Sequence, residues 1–118
     1  MTPISDTTMQ AIEYALGALA RRAEVTAQNV ANAQVPNFRA SRLSFEQQLK
    51  RAIGSGDVTD VRPPSVVATN DPAGPNGNNV IIEEEVVEMM KTNLLQSAMV
   101  EAFNFKAGLI RSAIQGSR

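Results

Sequence analysis

Cysteine, histidine and tryptophan are all missing from this chain. Without cysteine, neither a disulfide nor a thiolate metal or redox site can form. Without histidine the commonest general base and metal ligand is gone, and a serine or threonine nucleophile would need a lysine as its base. The lysines, Lys50, Lys91 and Lys106, stand in no Ser-x-x-Lys arrangement. Aromatic residues are scarce, limited to Tyr14, Phe38, Phe45, Phe103 and Phe105, which is little bulk for the core of a 118-residue chain. Neither sign of charge dominates: 11 basic residues face 12 acidic ones, so no strong field draws the chain to nucleic acid or an anionic membrane. The basic spots at Arg21, Arg22, Arg39, Arg42, Lys50 and Arg51 carry no interleaved aromatic platform and read as solvated surface, with Arg39 and Arg42 available for salt bridges between subunits. No apolar run approaches the roughly 20 residues that span a bilayer. The opening MTPISDTTMQ lacks the basic and apolar regions of a Sec-type signal peptide.

What the chain does have is a pair of apolar seams, one at each end. Met9, Ile12, Leu16, Leu19, Ala23, Thr26, Val30 and Ala33 alternate by three and four residues. So do Val86, Met89, Asn93, Gln96, Val100, Phe103, Ala107, Ile110 and Ile114. This spacing places each set on one narrow stripe of an α-helix, as in a coiled coil. Ser5, Asp6 and Thr7 offer N-caps for the first helix, and Pro36 and Asn37 stop it. Phe38 to Leu43 reads as extended, and Ser44-Phe45-Glu46-Gln47 fits a capping box opening a short helix that Gly54 ends. Residues 54–79 hold most of the prolines and glycines and no aromatic, so apart from a short strand at Val66-Val67-Ala68 they read as loop. Asn78 or Asn79 then leads into the last helix, with Gly116 as its stop.

The expected fold is therefore all-α and a single unit over residues 1–118. Long terminal helices over 6–34 and 80–116 pair as an α-helical hairpin or coiled coil, a motif loop and short third helix fill 35–53, and an extended or disordered centre spans 54–79. Glu83, Glu84, Glu85 and Glu88 have no histidine, cysteine or phosphate loop beside them, so they read as a solvated helix start that suits the helix dipole, and no enzyme is expected. Beyond the seams, Met90, Leu94, Leu95, Ala98, Met99, Phe105 and Leu109 broaden the last helix's apolar surface, and Tyr14, Ala15, Ala18, Ala20 and Val25 broaden the first. Such breadth exceeds what one partner helix covers and marks an association surface. Asn93 and Gln96 within a seam would set register.

The most specific local pattern is Gln28-Asn29-Val30-Ala31-Asn32-Ala33-Gln34-Val35-Pro36-Asn37-Phe38. Two amides three residues apart on one helix face can bond the last helical carbonyls or another backbone. Asn29, Val30, Ala31, Asn32, Ala33, Pro36 and Phe38 resemble the Asn-(Ile/Val)-Ala-Asn-Ala-x-(Ser/Thr)-Pro-x-(Phe/Tyr) signature of bacterial flagellar axial proteins, with Val35 where Ser or Thr is usual. The short chain, the Leu43–Leu49 continuation and the Gly77-Asn78-Asn79-Val80 and Leu109–Ile114 stretches are most similar to the proximal rod subunits of that family. A FlgC-like rod subunit is the alternative within it, although the Gly-Pro-Tyr-Arg-Arg-like stretch usual there is absent.

The resemblance implies a structural protein of the flagellar basal body, a rod subunit in the periplasm exported without a cleaved signal. It would polymerise through its terminal helices, transmit torque and form the wall of the export channel. Its partners would be further copies of itself, a FliE-like junction protein, a FlgC-like rod protein and the flagellar export gate, with no cofactor, metal, nucleic acid or small-molecule substrate. The subunit-packing residues expected on this reading are Leu16, Leu19, Val30, Asn93, Val100, Phe103, Ala107, Ile110 and Ile114. A soluble helical adaptor that binds one partner as a helix bundle is the reading from another class.

Overall fold

The computed structural model describes residues 6–59 and 61–116. In chain order it contains α1 (Thr7–Ala31), β1 (Ser41–Ser44), α2 (Glu46–Ser55), β2 (Ser65–Ala68) and α3 (Ile82–Gly116). Its dimensions are 68 × 25 × 15 Å. The long axis follows α3, whose 35 residues extend about 52 Å at the helical rise.

α1 starts where its first free amides find an acceptor. The Asp6 carboxylate accepts from the Met9 N–H at 2.8 Å, and Ser5 lies outside the described residues. The helix ends at Ala31, and Asn32 closes it with its N–H on the Gln28 and Asn29 carbonyls. Two turns follow through Val35 and Phe38, with Asn37 at φ 65°, a left-handed conformation that asparagine tolerates.

The chain is not strictly all-α. β1 pairs antiparallel with β2, Ser41 opposite Ala68 and Ser44 opposite Ser65. This strand pairing overrides the expected capping box. Ser44 is held in the ladder, the N-cap position falls on Phe45, and no side chain caps α2 there. The Glu46 carboxylate instead accepts the Phe45 N–H at 3.2 Å. The packing reason is that Leu43 and Phe45 must both enter the core, which the extended backbone through Ser44 allows. α2 also runs past Gly54 to Ser55, and Gly56, at φ 79°, supplies the left-handed closing residue.

The centre is tied down at several points besides the ladder. Val58 is buried, and the Tyr14 hydroxyl donates to the Arg62 carbonyl at 2.7 Å. Thr69 N–H bonds the Ala40 carbonyl at 2.8 Å, extending the pairing of β1 and β2 by one residue.

The core sits between α1, β1 and α2. Ala15, Ala18, Leu19, Val25, Leu43 and Phe45 form it, with Tyr14, Leu49 and Met99 packed alongside. Tyr14 meets Phe45 edge-on at 6.2 Å, and the Arg22 guanidinium lies 4.8 Å over the same ring. Arg22 also donates to the Leu43 carbonyl and to Glu46. Burial pushes the Glu46 carboxyl up, yet the Arg22 hydrogen bond brings it below its ordinary value. Ala15, Ala18 and Val25, expected on a surface for neighbours, are thus consumed by the chain's own core.

α1 and α3 pack antiparallel within one chain. They are joined at one end by Asn29 and Glu85 at 2.8 Å and at the other by Asp6 and Lys106 at 2.9 Å. The Met9 N–H and Lys106 hold the Asp6 carboxyl below its ordinary 3.8. A carboxyl lowered on folding adds stability above that ordinary value and loses it as pH falls through the lower folded one. Helix content should therefore decline below pH 3.8 more steeply in the wild type than in Asp6→Asn, as circular dichroism would read. Superimposable acid curves would remove Asp6 from the account.

Candidate subunit interface and the clasp behind it

The two asparagines of the sequence pattern work inside the subunit. Asn29 is buried, and its amide imitates a neighbouring strand. The Oδ1 accepts the Ser41 N–H at 3.1 Å while Nδ2 donates to the Ser41 carbonyl at 2.9 Å. The same Nδ2 reaches Glu85 Oε1. Arg42 closes the group with two bonds to the Glu85 carboxylate, at 3.0 and 2.7 Å. Glu85 holds the Arg42 guanidinium above its ordinary value, against the opposing effect of burial. Only 1 % of Glu85 is exposed. It is therefore no solvated helix start, and Arg42, expected as a link between subunits, is engaged within its own chain. Glu83 and Glu84 remain exposed in the first turn of α3, as expected.

Asn32 bonds back to the Gln28 carbonyl at 2.8 Å, as its spacing suggested. The carbonyls left at the end of α1 are taken from the other side of the chain. Asn78 Nδ2 donates to the carbonyls of Asn32 and Val35 at 2.9 and 2.7 Å. Asn79 accepts the Ala40 N–H at 2.6 Å and donates to Thr69 and to the Asp71 carbonyl. Neither residue caps α3: Asn78 Oδ1 accepts the Val80 N–H instead, and the Ile81 carbonyl receives the Glu84 and Glu85 N–H groups. Within the pattern, Val30, Ala31 and Pro36 are exposed, while Asn32, Ala33 and Phe38 are half-buried.

This clasp explains why Gly77 sits where it does. Its φ is 81°, and a Cβ there would run into the Asn37 side chain. Gly77→Ala should cost at least about 1 kcal/mol from the left-handed backbone alone, read as a lower denaturant midpoint. An unchanged midpoint would mean that the turn adjusts freely.

The clasp also sets how α3 is rotated. With Glu85 turned inward, the side facing α1 runs through Met89, Thr92, Gln96, Met99, Phe103 and Ile110. Of the expected packing residues, Leu19 is buried, and Leu16, Phe103, Ala107 and Ile110 are half-buried. Val30, Asn93 and Val100 are turned out into solvent, Val100 standing one residue from Met99 on the inner side. Ile114 borders an apolar cleft with Met9, Phe103 and Ile110. The expected stripe on α3 thus lies partly beside the real one rather than on it.

The opposite side of α3 is also apolar. Val87, Met90, Leu94, Ala98, Phe105 and Leu109 share one helical face at steps of three, four or seven residues. Leu94 is 73 % exposed and Phe105 69 %. A helix that is apolar on both sides is ordinarily buried on both. Among the described residues, no group of acidic side chains is arranged to hold a metal ion, and no helix is long and apolar enough to cross a membrane.

No family model matches the chain. Among curated proteins it is 28 % identical to the flagellar basal body rod protein FlgB of Bacillus subtilis (strain 168), over 94 % of this chain and 95 % of that one. It is 29 % identical to FlgB of Aeromonas hydrophila, over 90 % of this chain and 91 % of the other. Against FlgB of Borreliella burgdorferi the identity is 31 %, covering 78 % of this chain and 85 % of the relative. The chain belongs to the FlgB family. The resemblance first carried by Asn29 to Phe38 therefore extends over most of the molecule. In this FlgB-family chain, the residues to which the sequence reading gave other roles are Arg42, Glu85, Asn78 and Asn79. Glu85 and Thr92 stand seven residues apart, a spacing that places both on one side of the helix.

Proposed function

We propose that this chain, a structural subunit of the flagellar basal body rod, joins its neighbours through the outer face of α3, while α1 and the clasp hold that helix in place. The observation that carries this reading is the double apolar character of α3. One side is covered by the chain's own α1, and the other presents Val87, Met90, Leu94, Phe105 and Leu109 to solvent. Burying each of the larger side chains contributes about 1.5–3 kcal/mol before association costs. A face of this kind supports a polymer when it meets a different surface on the neighbour, since such contacts extend instead of closing on themselves.

In this reading Leu16, Leu19, Phe103, Ala107 and Ile110 keep the helix pair together, and Val30, Asn93 and Val100 add to the contacts between subunits. The hairpins, laid side by side, transmit torque and wall the export channel. Their neighbours are further copies of the chain, a FlgC-like rod protein and a FliE-like junction protein, with the export gate at the base. The chain reaches this position unfolded, through that gate. The role is mechanical and includes no catalytic step.

The lack of native cysteine gives a direct test. Leu94→Cys or Phe105→Cys places one thiol on the outer face. A cross-linker that is thiol-reactive at one end and photoreactive at the other, applied to isolated basal bodies, should join the chain to adjacent rod subunits through either position. Recovery of only uncross-linked chain from both, while Arg21→Cys on α1 gives adducts, would overturn the assignment of this face.

A further inference from the structure

We infer that the outer edge of β2 is a docking site for an extended, basic segment of a different protein, which adds to the sheet as a third strand. The inference goes beyond assembly through α3 and does not rest on it. It begins with the alternation of an antiparallel ladder, in which every second residue points both its N–H and its C=O at the partner strand. The Thr69 N–H bonds the Ala40 carbonyl, so in the observed register Arg42–Val67 and Ser44–Ser65 are the bonded pairs. The backbone groups of Ser41 and Leu43 on β1, and of Val66 and Ala68 on β2, therefore point away from the ladder.

The two outer edges are treated differently. On β1, Asn29 takes both backbone groups of Ser41, and Arg22 takes the Leu43 carbonyl. On β2, no described residue bonds the outward N–H or C=O of Val66 or Ala68. Open edges are usually blunted by lysine, proline or a bulge within the strand. Ser65–Ala68 is short, which limits how much chain can pair with it, but it has none of these, and all four residues are exposed. The open stretch is also bounded, because Pro64, the preceding residue in the outward phase, has no N–H to offer. What remains is a short window of four unpaired backbone groups.

The surroundings specify the incoming strand. Ala68 also forms part of the wall of an open groove of about 730 Å³ between α3 and residues 67–71. Asp71, Glu83, Glu84 and Glu88 line that groove against Lys91, and its other cation, Arg42, is occupied by Glu85. Backbone bonds to Val66 and Ala68 supply affinity for any extended chain, and the acidic wall selects one with lysine or arginine at alternate positions. A second copy of this chain does not provide such a strand from its described residues. Its basic extended stretch, Arg39 to Arg42, is already committed to β1 and the clasp.

The test uses the full chain, nitrogen-labelled and dilute, titrated with a short synthetic peptide of alternating valine and lysine. A glutamate-for-lysine version serves as the comparison. The expected result is a shift of the Val66 and Ala68 amide resonances with slowed exchange, and affinity for the lysine peptide at least about tenfold the higher. Val66→Pro removes one outward N–H and leaves the β1-facing groups of Ser65 and Val67 intact, so it should weaken binding by about tenfold or more. Methylating the peptide nitrogens that face the edge should do the same without altering the protein. The inference is overturned if the lysine peptide fails to bind at about 1 mM, if it binds without affecting Val66 and Ala68, or if both the proline variant and the methylated peptide bind as well as their parents. Equal binding of the glutamate peptide would overturn the choice of a basic partner.

Discussion

Leu94→Asp combined with Phe105→Asp is expected to abolish incorporation into the rod, and with it motility, while leaving the isolated chain folded. Both side chains stand more than two-thirds clear of the subunit, at 73 % and 69 % exposed. Substitutions at such positions usually alter monomer stability by no more than about 0.5 kcal/mol. In a packed contact between subunits the same changes remove two large apolar groups and leave two carboxylates short of water, a loss of several kcal/mol per contact. Leu19→Asp provides the contrast, because Leu19 is 1 % exposed and its loss should unfold the subunit itself. Swimming on soft agar, read beside thermal melting of the purified chain, separates the two effects. A motile Leu94/Phe105 double variant with normal rods would remove the outer face of α3 from the assembly.

The second large effect belongs to the clasp. Arg42→Ala leaves the Glu85 carboxylate buried with only the Asn29 amide beside it. Removing one member of a buried ion pair typically costs about 3–5 kcal/mol, a large share of the 5–15 kcal/mol that stabilises a small domain. Replacing both residues, as in Arg42→Met with Glu85→Met, should be less harmful than Arg42→Ala alone, since no charge is then stranded. Denaturant unfolding of the three proteins measures the comparison. If Arg42→Ala costs under about 0.5 kcal/mol, water reaches Glu85 and the pair is a surface contact. The clasp also matters for assembly, because it decides which side of α3 is offered outward.

Local chemistry was easy to read in the sequence, and long-range partnership was not. Asp6 as a cap and Pro36 as the neighbourhood of a stop depend on a few adjacent residues, and both ends of α1 fall close to where those residues put them. The extended stretches near Arg42 and Val67 were legible one at a time, but their pairing is supported by Asn29 on the outer edge of β1 and by Asn79 between Ala40 and Thr69, past the end of the ladder. The same gap accounts for Glu85. An argument from the helix dipole treats Glu83, Glu84 and Glu85 alike, and only the position of Arg42 singles out the third. Ser44 shows a local pattern losing to tertiary packing, since its capping box matched while Phe45 was required elsewhere. On α3 a spacing of three and four residues fits two adjacent stripes almost equally well. The sequence located both apolar sides of this helix without saying which one its own α1 would cover.

The clasp has a bearing on timing. Asn29 and Glu85 are separated by 56 positions, and a contact between such distant residues cannot form until the whole intervening stretch is free to loop back. Whichever end of the molecule leads through a narrow passage, the first helix to emerge therefore waits without its mate until most of the polymer is clear. In the export proposed above, the clasp would therefore close only after both helices have emerged.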